Sequence, residues 1–277
     1  ANFPTPLPPS RAARPSSAHT PPSTASRSNA RAFGKPETKL RGLPETFVSR
    51  LHPVRCPGRN LRAMRPYAAV IFDMDGVIVD SEPLHEKAFQ VVFEEMGYGQ
   101  THGFHFPDYY GRSDKALWLD FIARHSPPQP FDELMAWKQG RFMTLLEAAQ
   151  PIFSPIPALV SDLARQTRVA LASGSNHEVI AAVLAMRGLR PHFEKVVSAQ
   201  DVAKGKPAPD IFLHTASLLG VAPTDCVVIE DSAAGVAAAR AAGMRVIGIT
   251  NTLPAEKLQD ATAVVSDYDA LRRLLLS

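Results

Sequence analysis

From residue 67 onward, short apolar runs alternate with helical stretches, and each of the first four runs leads into polar residues. The runs are 67–75 (YAAVIFDMD), 168–173 (RVALAS), 195–199 (KVVSA), 226–231 (CVVIED), 244–250 (MRVIGIT) and 263–267 (AVVSD). Apolar runs this short read as strands buried on both faces. Helical spacing predicts helices at 82–96, 113–124, 131–149, 176–187, 208–219, 232–242 and 267–275. On the first of these, Leu84, Ala88, Val91, Val92 and Met96 share one side, and Gly97 suits a stop. Such alternation means right-handed βαβ crossovers and a parallel sheet with helices over both faces. The fold class is therefore α/β. Residues 82–149 show helices without strands, so a helical insertion is expected after the first strand. The core is then 64–81 together with 150–277.

The segment before that core is of another kind. Residues 1–63 hold 11 of the 25 prolines, and 11 Lys/Arg against 2 Asp/Glu, a balance of +9. Chain totals of 30 and 27 leave 19 and 25 for residues 64–277, a balance of −6. A tail rich in Pro, Ser and Arg cannot bury enough apolar surface to offset its ordering entropy, and disorder is expected there. Its acid-poor composition suits an organelle transit peptide. The plainer reading is an N-terminal extension, since Met64 stands directly before the first strand. A cytoplasmic location goes with the plainer reading, and a plastid or mitochondrion with the other. The mildly acidic body argues against nucleic acid as a partner. No stretch approaches the ~20 apolar residues that cross a bilayer, so no membrane partner is expected. Two cysteines, Cys56 and Cys226, exclude a disulfide scaffold or a Cys-based zinc cluster. The chain is expected to act as a monomer.

In a parallel sheet the ligand crevice lies beyond the carboxyl ends of the strands. The first strand delivers Asp73 and Asp75 there, and the second Ser173, Gly174 and Ser175. The third is followed by Lys204 and Lys206, and the fourth ends at Glu230 and Asp231. Asp73 and Asp75, at a turn that Gly76 permits, repel one another and need a hard cation with oxygen ligands, for which Mg2+ is best suited. Asp231 adds a ligand, so the expected metal set is Asp73, Asp75 and Asp231, with Glu230 behind it. A lone DxD would more simply cap a helix or turn a loop; the second acid pair tips the balance. Ser173-Gly174 lets backbone approach an anion at a helix start, with Ser175 or Asn176 as the cap of that helix. Pro207 is expected to start a helix and to hold Lys206 extended, so that its ammonium meets a phosphoryl oxygen. A solvated surface lysine is the alternative, and it suits Lys204 better. Together these groups describe phosphoryl transfer. Asp73 would be the nucleophile, and Asp75 the acid for the leaving alcohol and then the base for water.

This set of motifs resembles the haloacid dehalogenase superfamily of phosphohydrolases over residues 67–277. The resemblance rests on Asp73-Met74-Asp75-Gly76-Val77, on Ser173 at a strand end, on Lys206 in GKPAPDIF and on Glu230-Asp231 in EDSAAG. DMDGVIVDSEPLH and KPAPDIF look most like the branch containing beta-phosphoglucomutase and small sugar-phosphate phosphatases. It implies a Rossmann-like core, a helical cap inserted between the first two motifs, Mg2+ as cofactor and a small phosphorylated substrate. Asp75, which dehalogenases proper lack, favours phosphate esters. The resemblance also implies a place for His85 near the general acid and the hinge at Asp80-Ser81, and a substrate contact for Lys138 in WKQGRF. For both, a polar helix position is the alternative. Mutases of this branch grip a second phosphate with a cap Arg. In the similar stretch Gly111-Arg112-Ser113-Asp114-Lys115, Asp114 stands in its place and is expected to repel phosphate, leaving Arg112 or Lys115 as substitutes. The expected activity is Mg2+-dependent hydrolysis of small phosphorylated metabolites, sugar phosphates foremost. A phosphosugar mutase is the alternative. A phosphoryl-sensing module like a bacterial receiver is far shorter, without a helical insertion, and bears its acceptor Asp on a later strand.

Overall fold

The computed structural model describes residues 67–109 and 113–276. The tail, with its expected disorder and transit-peptide character, and Arg112 lie outside the described residues. Six parallel strands form one sheet: β1 Ala69–Phe72, β2 Arg168–Ser173, β3 Lys195–Ser198, β4 Cys226–Glu230, β5 Arg245–Ile249 and β6 Ala263–Val265. Their order is β3-β2-β1-β4-β5-β6. The chain steps outward from β1 to β3, then returns to the other side of β1 with β4. Where strand order reverses, the connections diverge and leave a crevice past the carboxyl ends. Strands β1, β2 and β4 meet at that point, with Ala69 opposite both Arg168 and Cys226.

Strand residues alternate between two apolar layers, as period-2 geometry requires. Val70 and Phe72 face a layer built with α4 (Ile156–Ala164), α5 (His177–Ala185) and α8 (Tyr268–Leu276). Ala69 and Ile71 face a second layer with α6 (Asp210–Leu219) and α7 (Ala233–Ala241). The first run is longer than its strand because the Met74 carbonyl accepts from the N–H groups of Val77, Ile78 and Val79, curling the chain after Phe72. Sequence spacing missed α4, whose Ile156, Leu159, Val160 and Leu163 are buried and whose start carries a proline. Helix α6 begins at Asp210, so Pro207 does not open it. Helix α5 stops at Ala185, just before Arg187 and Gly188 at positive φ.

Between β1 and β2 come α1 (Glu82–Glu95), α2 (Asp114–His125), α3 (Phe131–Ala149) and α4. Helices α1 to α3 surround their own cluster of Phe89, Phe93, Trp118, Phe121 and Leu134. The buried stripe of α1 is Ala88, Phe89, Val92 and Phe93 rather than one through Val91 and Met96. Aromatic rings bury more area, and they turn the helix toward themselves. Phe142 and Leu146 of α3 join the sheet-side core, so the insertion packs on the sheet as well as on itself. No helix among the described residues is long and apolar enough to cross a membrane.

Candidate active site

Asp73 follows β1 directly, and its N–H donates to the carbonyl of Ile229 on β4, which draws the two strand ends together. Lys206 reaches in from the loop before α6. Its Nζ lies 2.6 Å from Asp73 Oδ1 and 2.6 Å from Glu230 Oε1. Asp73, Glu230 and Asp231 bring carboxylate oxygens within 4.8 Å of one another. Burial pushes Asp73 up to about 7, against the downward pull of Lys206. Burial, then Glu230 and Asp73, also raise Asp231 well above the carboxylate range. For Lys206, burial works against the ammonium, but Asp73 and Glu230 outweigh it and raise its pKa. Three buried acids thus meet one ammonium, and ionising all three would leave negative charge over. A hard cation with oxygen ligands fits that donor set.

The acids do not have equal freedom. Glu230 Oε2 accepts from Asp231 N, Ser232 N and Ser232 Oγ at 3.1, 3.0 and 2.9 Å, while Oε1 holds Lys206. Glu230 is therefore committed to the turn and the lysine. Asp73 and Asp231 line a cleft of about 520 Å3. Asp75 lines it too, but its carboxylate is not in the acid cluster. Its Oδ1 accepts from Ser81 Oγ at 2.7 Å and its Oδ2 from Ser175 Oγ at 2.8 Å. Of the expected metal set, Asp73 and Asp231 stand in the close acid group, where Glu230 joins them.

Ser173 ends β2 fully buried and accepts from Ser175 N at 3.0 Å. The cleft wall is formed by its neighbours Gly174, Ser175 and Asn176. Nothing stands within 4 Å of where a Gly174 side chain would begin, so a ligand can approach its backbone closely. Asn176, the second of the two expected caps, accepts from Val179 N at 2.9 Å. Lys206 is nearly buried, whereas Lys204 is exposed.

The opposite wall comes from the helical insertion, including His85 and Asp114. Lys138 is only 1% exposed, and its Nζ donates to Asp114 Oδ2 at 2.6 Å and contacts His85 Nδ1. It is neither a solvated helix lysine nor part of the cleft lining. Burial pulls the Lys138 ammonium down, against the opposing charge of Asp114. Burial pushes the Asp114 carboxyl up, but His85 and Lys138 outweigh it and hold it below the usual carboxylate range. The Asp114 charge is thus compensated from behind by Lys138, which sequence reasoning did not foresee.

A profile of haloacid dehalogenase-like hydrolases matches residues 67–243. The chain belongs to this family. It is 35% identical over 185 residues to the fructose-1-phosphate phosphatase YqaB of Escherichia coli K12, covering 66% of this chain and 96% of that protein. It is 34% identical over 206 residues to hexitol phosphatase B of the same organism, covering 73% and 91%. A beta-phosphoglucomutase structure from Clostridium difficile superposes with a TM-score of 0.61 at 25% identity, covering 76% of this chain and 97% of that one. The chain is thus an enzyme of the hydrolase class with relatives named as phosphatases, on a Rossmann-like α/β sheet.

Several residues around the hydrolase site carry no motif and were missed. Asn251 Nδ2 donates to the Gly76 carbonyl at 2.7 Å and to Tyr268 Oη at 2.9 Å, and Tyr268 Oη donates to the Val77 carbonyl at 2.7 Å. They tie the loop after β1 to the end of the chain, across 175 and 191 residues of sequence. Gly235 was also missed. A Cβ there would lie 1.7 Å from Glu230 Oε1. Gly235→Ala is expected to displace Glu230 and lower stability by ~1–3 kcal/mol, as overpacking does. Gly140→Ala on α3, where a Cβ meets nothing within 4 Å, is expected to be neutral or to stabilise by up to ~1 kcal/mol. Thermal unfolding of both variants checks the contrast, and equal midpoints would contradict it.

Proposed function

We propose that this hydrolase is a Mg2+-dependent phosphatase of small phosphorylated metabolites, with sugar phosphates as its substrate class, acting through an aspartyl-phosphate on Asp73. The observation that carries this reading is the Asp73 carboxylate at the end of β1, lining the cleft with Lys206 Nζ 2.6 Å away. The names of the fructose-1-phosphate and hexitol phosphatase relatives support the substrate class. Mg2+, held by Asp73 and Asp231, would supply positive charge for the transferring phosphoryl oxygens. Lys206 supplies more from the protein side, and the Gly174 backbone leaves room for a phosphoryl oxygen.

An Asp73 oxygen attacks phosphorus, and the ester P–O bond breaks as the new O–P bond forms. Asp75 gives its proton to the departing alcohol oxygen. It then takes a proton from the water that attacks the aspartyl-phosphate, which frees Asp73 and inorganic phosphate. Ser81 and Ser175 suit both stages. A hydroxyl donates to the Asp75 carboxylate and can turn to accept from its acid form. Helices α1 to α3 would be the cap over the cleft. The two linkers to it run side by side, with Asp80 N donating to the Pro151 carbonyl at 2.9 Å, which suits a hinge. The capture of Lys138 by Asp114 and His85 favours a phosphatase over a mutase, because it leaves that cation unable to grip a second phosphate.

The test is phosphate release from a panel of hexose and hexitol monophosphates, which EDTA should stop. Asp75→Asn should slow these alkyl esters by ~10²–10⁴ and activated aryl phosphates far less. Release from no member of the panel would end the phosphatase reading, and equal losses on both ester types would remove the acid role.

A further inference from the structure

The cap-side wall of the cleft has its own charge logic. Lys138 Nζ donates to Asp114 Oδ2, contacts His85 Nδ1, and has the Phe89 and Phe142 rings 4.8 and 5.0 Å away. An ammonium so enclosed does not reach the substrate. An ammonium only donates, so in its contact with Lys138 the His85 Nδ1 is the acceptor. At 3.6 Å, Asp114 Oδ1 and His85 Nδ1 are too far apart for a hydrogen bond. Asp114 Oδ1 therefore keeps acceptor capacity at the cleft, beside a histidine ring stacked on Phe142 with centroids 4.0 Å apart. Gln139 lines the same cleft, and its Nε2 is shut off from solvent without a hydrogen-bond partner among the described residues.

We propose that Asp114 selects the non-phosphate part of the substrate: it accepts from a sugar or polyol hydroxyl and turns away a second anionic group. The inference rests on the phosphatase reading of the cleft and adds the substrate's far end to it. An acceptor on Asp114, beside the polar edge of the His85 ring, suits a substrate hydroxyl. A second phosphate meets the opposite. Among the described residues, the cap-side lining carries Glu82, Glu86 and Asp114 against Lys115, and Lys138 offsets Asp114 only from behind, outside the lining. Like charges brought together at a binding surface cost enough to set specificity.

The experiment is calorimetric binding of fructose 1-phosphate and fructose 1,6-bisphosphate to the full chain carrying Asp73→Asn, with Mg2+, so that no turnover intervenes. The monophosphate is expected to bind at least ~10-fold tighter, and adding Asp114→Asn should narrow that ratio several-fold, chiefly by tightening the bisphosphate. Asn keeps the size of the side chain but leaves Lys138 short of a counter-charge. The pair Asp114→Asn with Lys138→Met removes both charges together and, should the single change unfold the cap, is expected to narrow the ratio too, though by less, since only the charge nearer the cleft matters then. Equal affinity for the two sugars, or a ratio that neither variant moves, overturns the inference and leaves the phosphatase reading standing. Binding of neither sugar overturns the inference, and the phosphatase reading falls with it only if no member of the monophosphate panel releases phosphate. A wild-type chain that binds as expected but releases no phosphate sinks only the phosphatase reading.

Discussion

Asp73→Asn should abolish phosphate release and leave the fold standing. An amide oxygen is a poor nucleophile toward phosphorus, so kcat is expected to fall by at least ~10³ on every ester, activated aryl phosphates included. The breadth of the loss separates it from Asp75→Asn, which should spare activated esters. The same change should not lower the unfolding midpoint. It removes one of three crowded buried carboxylates, while Lys206 keeps Glu230 and gains the amide oxygen as an acceptor. Phosphate release and thermal unfolding, read on one sample, check both halves. A near-native rate would mean that Asp73 is not the nucleophile, and an unfolded variant would mean that its charge holds the strand ends together.

Lys206→Met should be the most damaging change for stability. It withdraws the ammonium from Asp73 and Glu230 and leaves buried charge without a partner, at a cost of ~3–5 kcal/mol. In a domain of this size that lowers the unfolding midpoint by roughly 10 °C. The pH dependence follows from Asp73. Its carboxyl stands at about 7 in the folded protein, against ~3.9 in an unfolded chain. A raised acid favours the folded state least when it must be charged, so stability falls as pH climbs through that window. Without Lys206 the acids are raised further. The deficit of the variant should therefore be larger at pH 8 than at pH 5. Mg2+ should restore part of the midpoint at pH 8 by binding the folded state. A deficit that does not change between the two pH values would mean that the lysine acts through packing, for instance over the Phe212 ring 5.1 Å away, rather than through charge.

Much of the site was legible because it is made of strand ends. A run such as CVVIED announces both a buried strand and the acids it delivers, and the sheet brings Asp73, Lys206, Glu230 and Asp231 together at one edge. Local pattern failed where a residue's partner lies far along the chain. Lys138 reads as an ordinary helix lysine until α1 and α2 place His85 and Asp114 against it. Nothing in the DMDG motif announces that Ser81 and Ser175, 6 and 100 residues away, hold the two Asp75 oxygens. Helix α4 escaped because its buried residues crowd a short segment between a proline-rich entry and β2, with too few turns for the period to show.

The alternation of apolar runs and helices, with chemistry-bearing residues at the run ends, determined by itself the parallel α/β sheet and the edge where the cleft lies. Period and strand polarity are local properties, and they need no knowledge of distant neighbours. Which acids face one another, the capture of Lys138 by Asp114 and His85, and the charge of the wall opposite the strand ends were decided only in three dimensions. A charged group's state depends on what lies within a few ångströms of it, and here those neighbours are loops and helices brought together by packing.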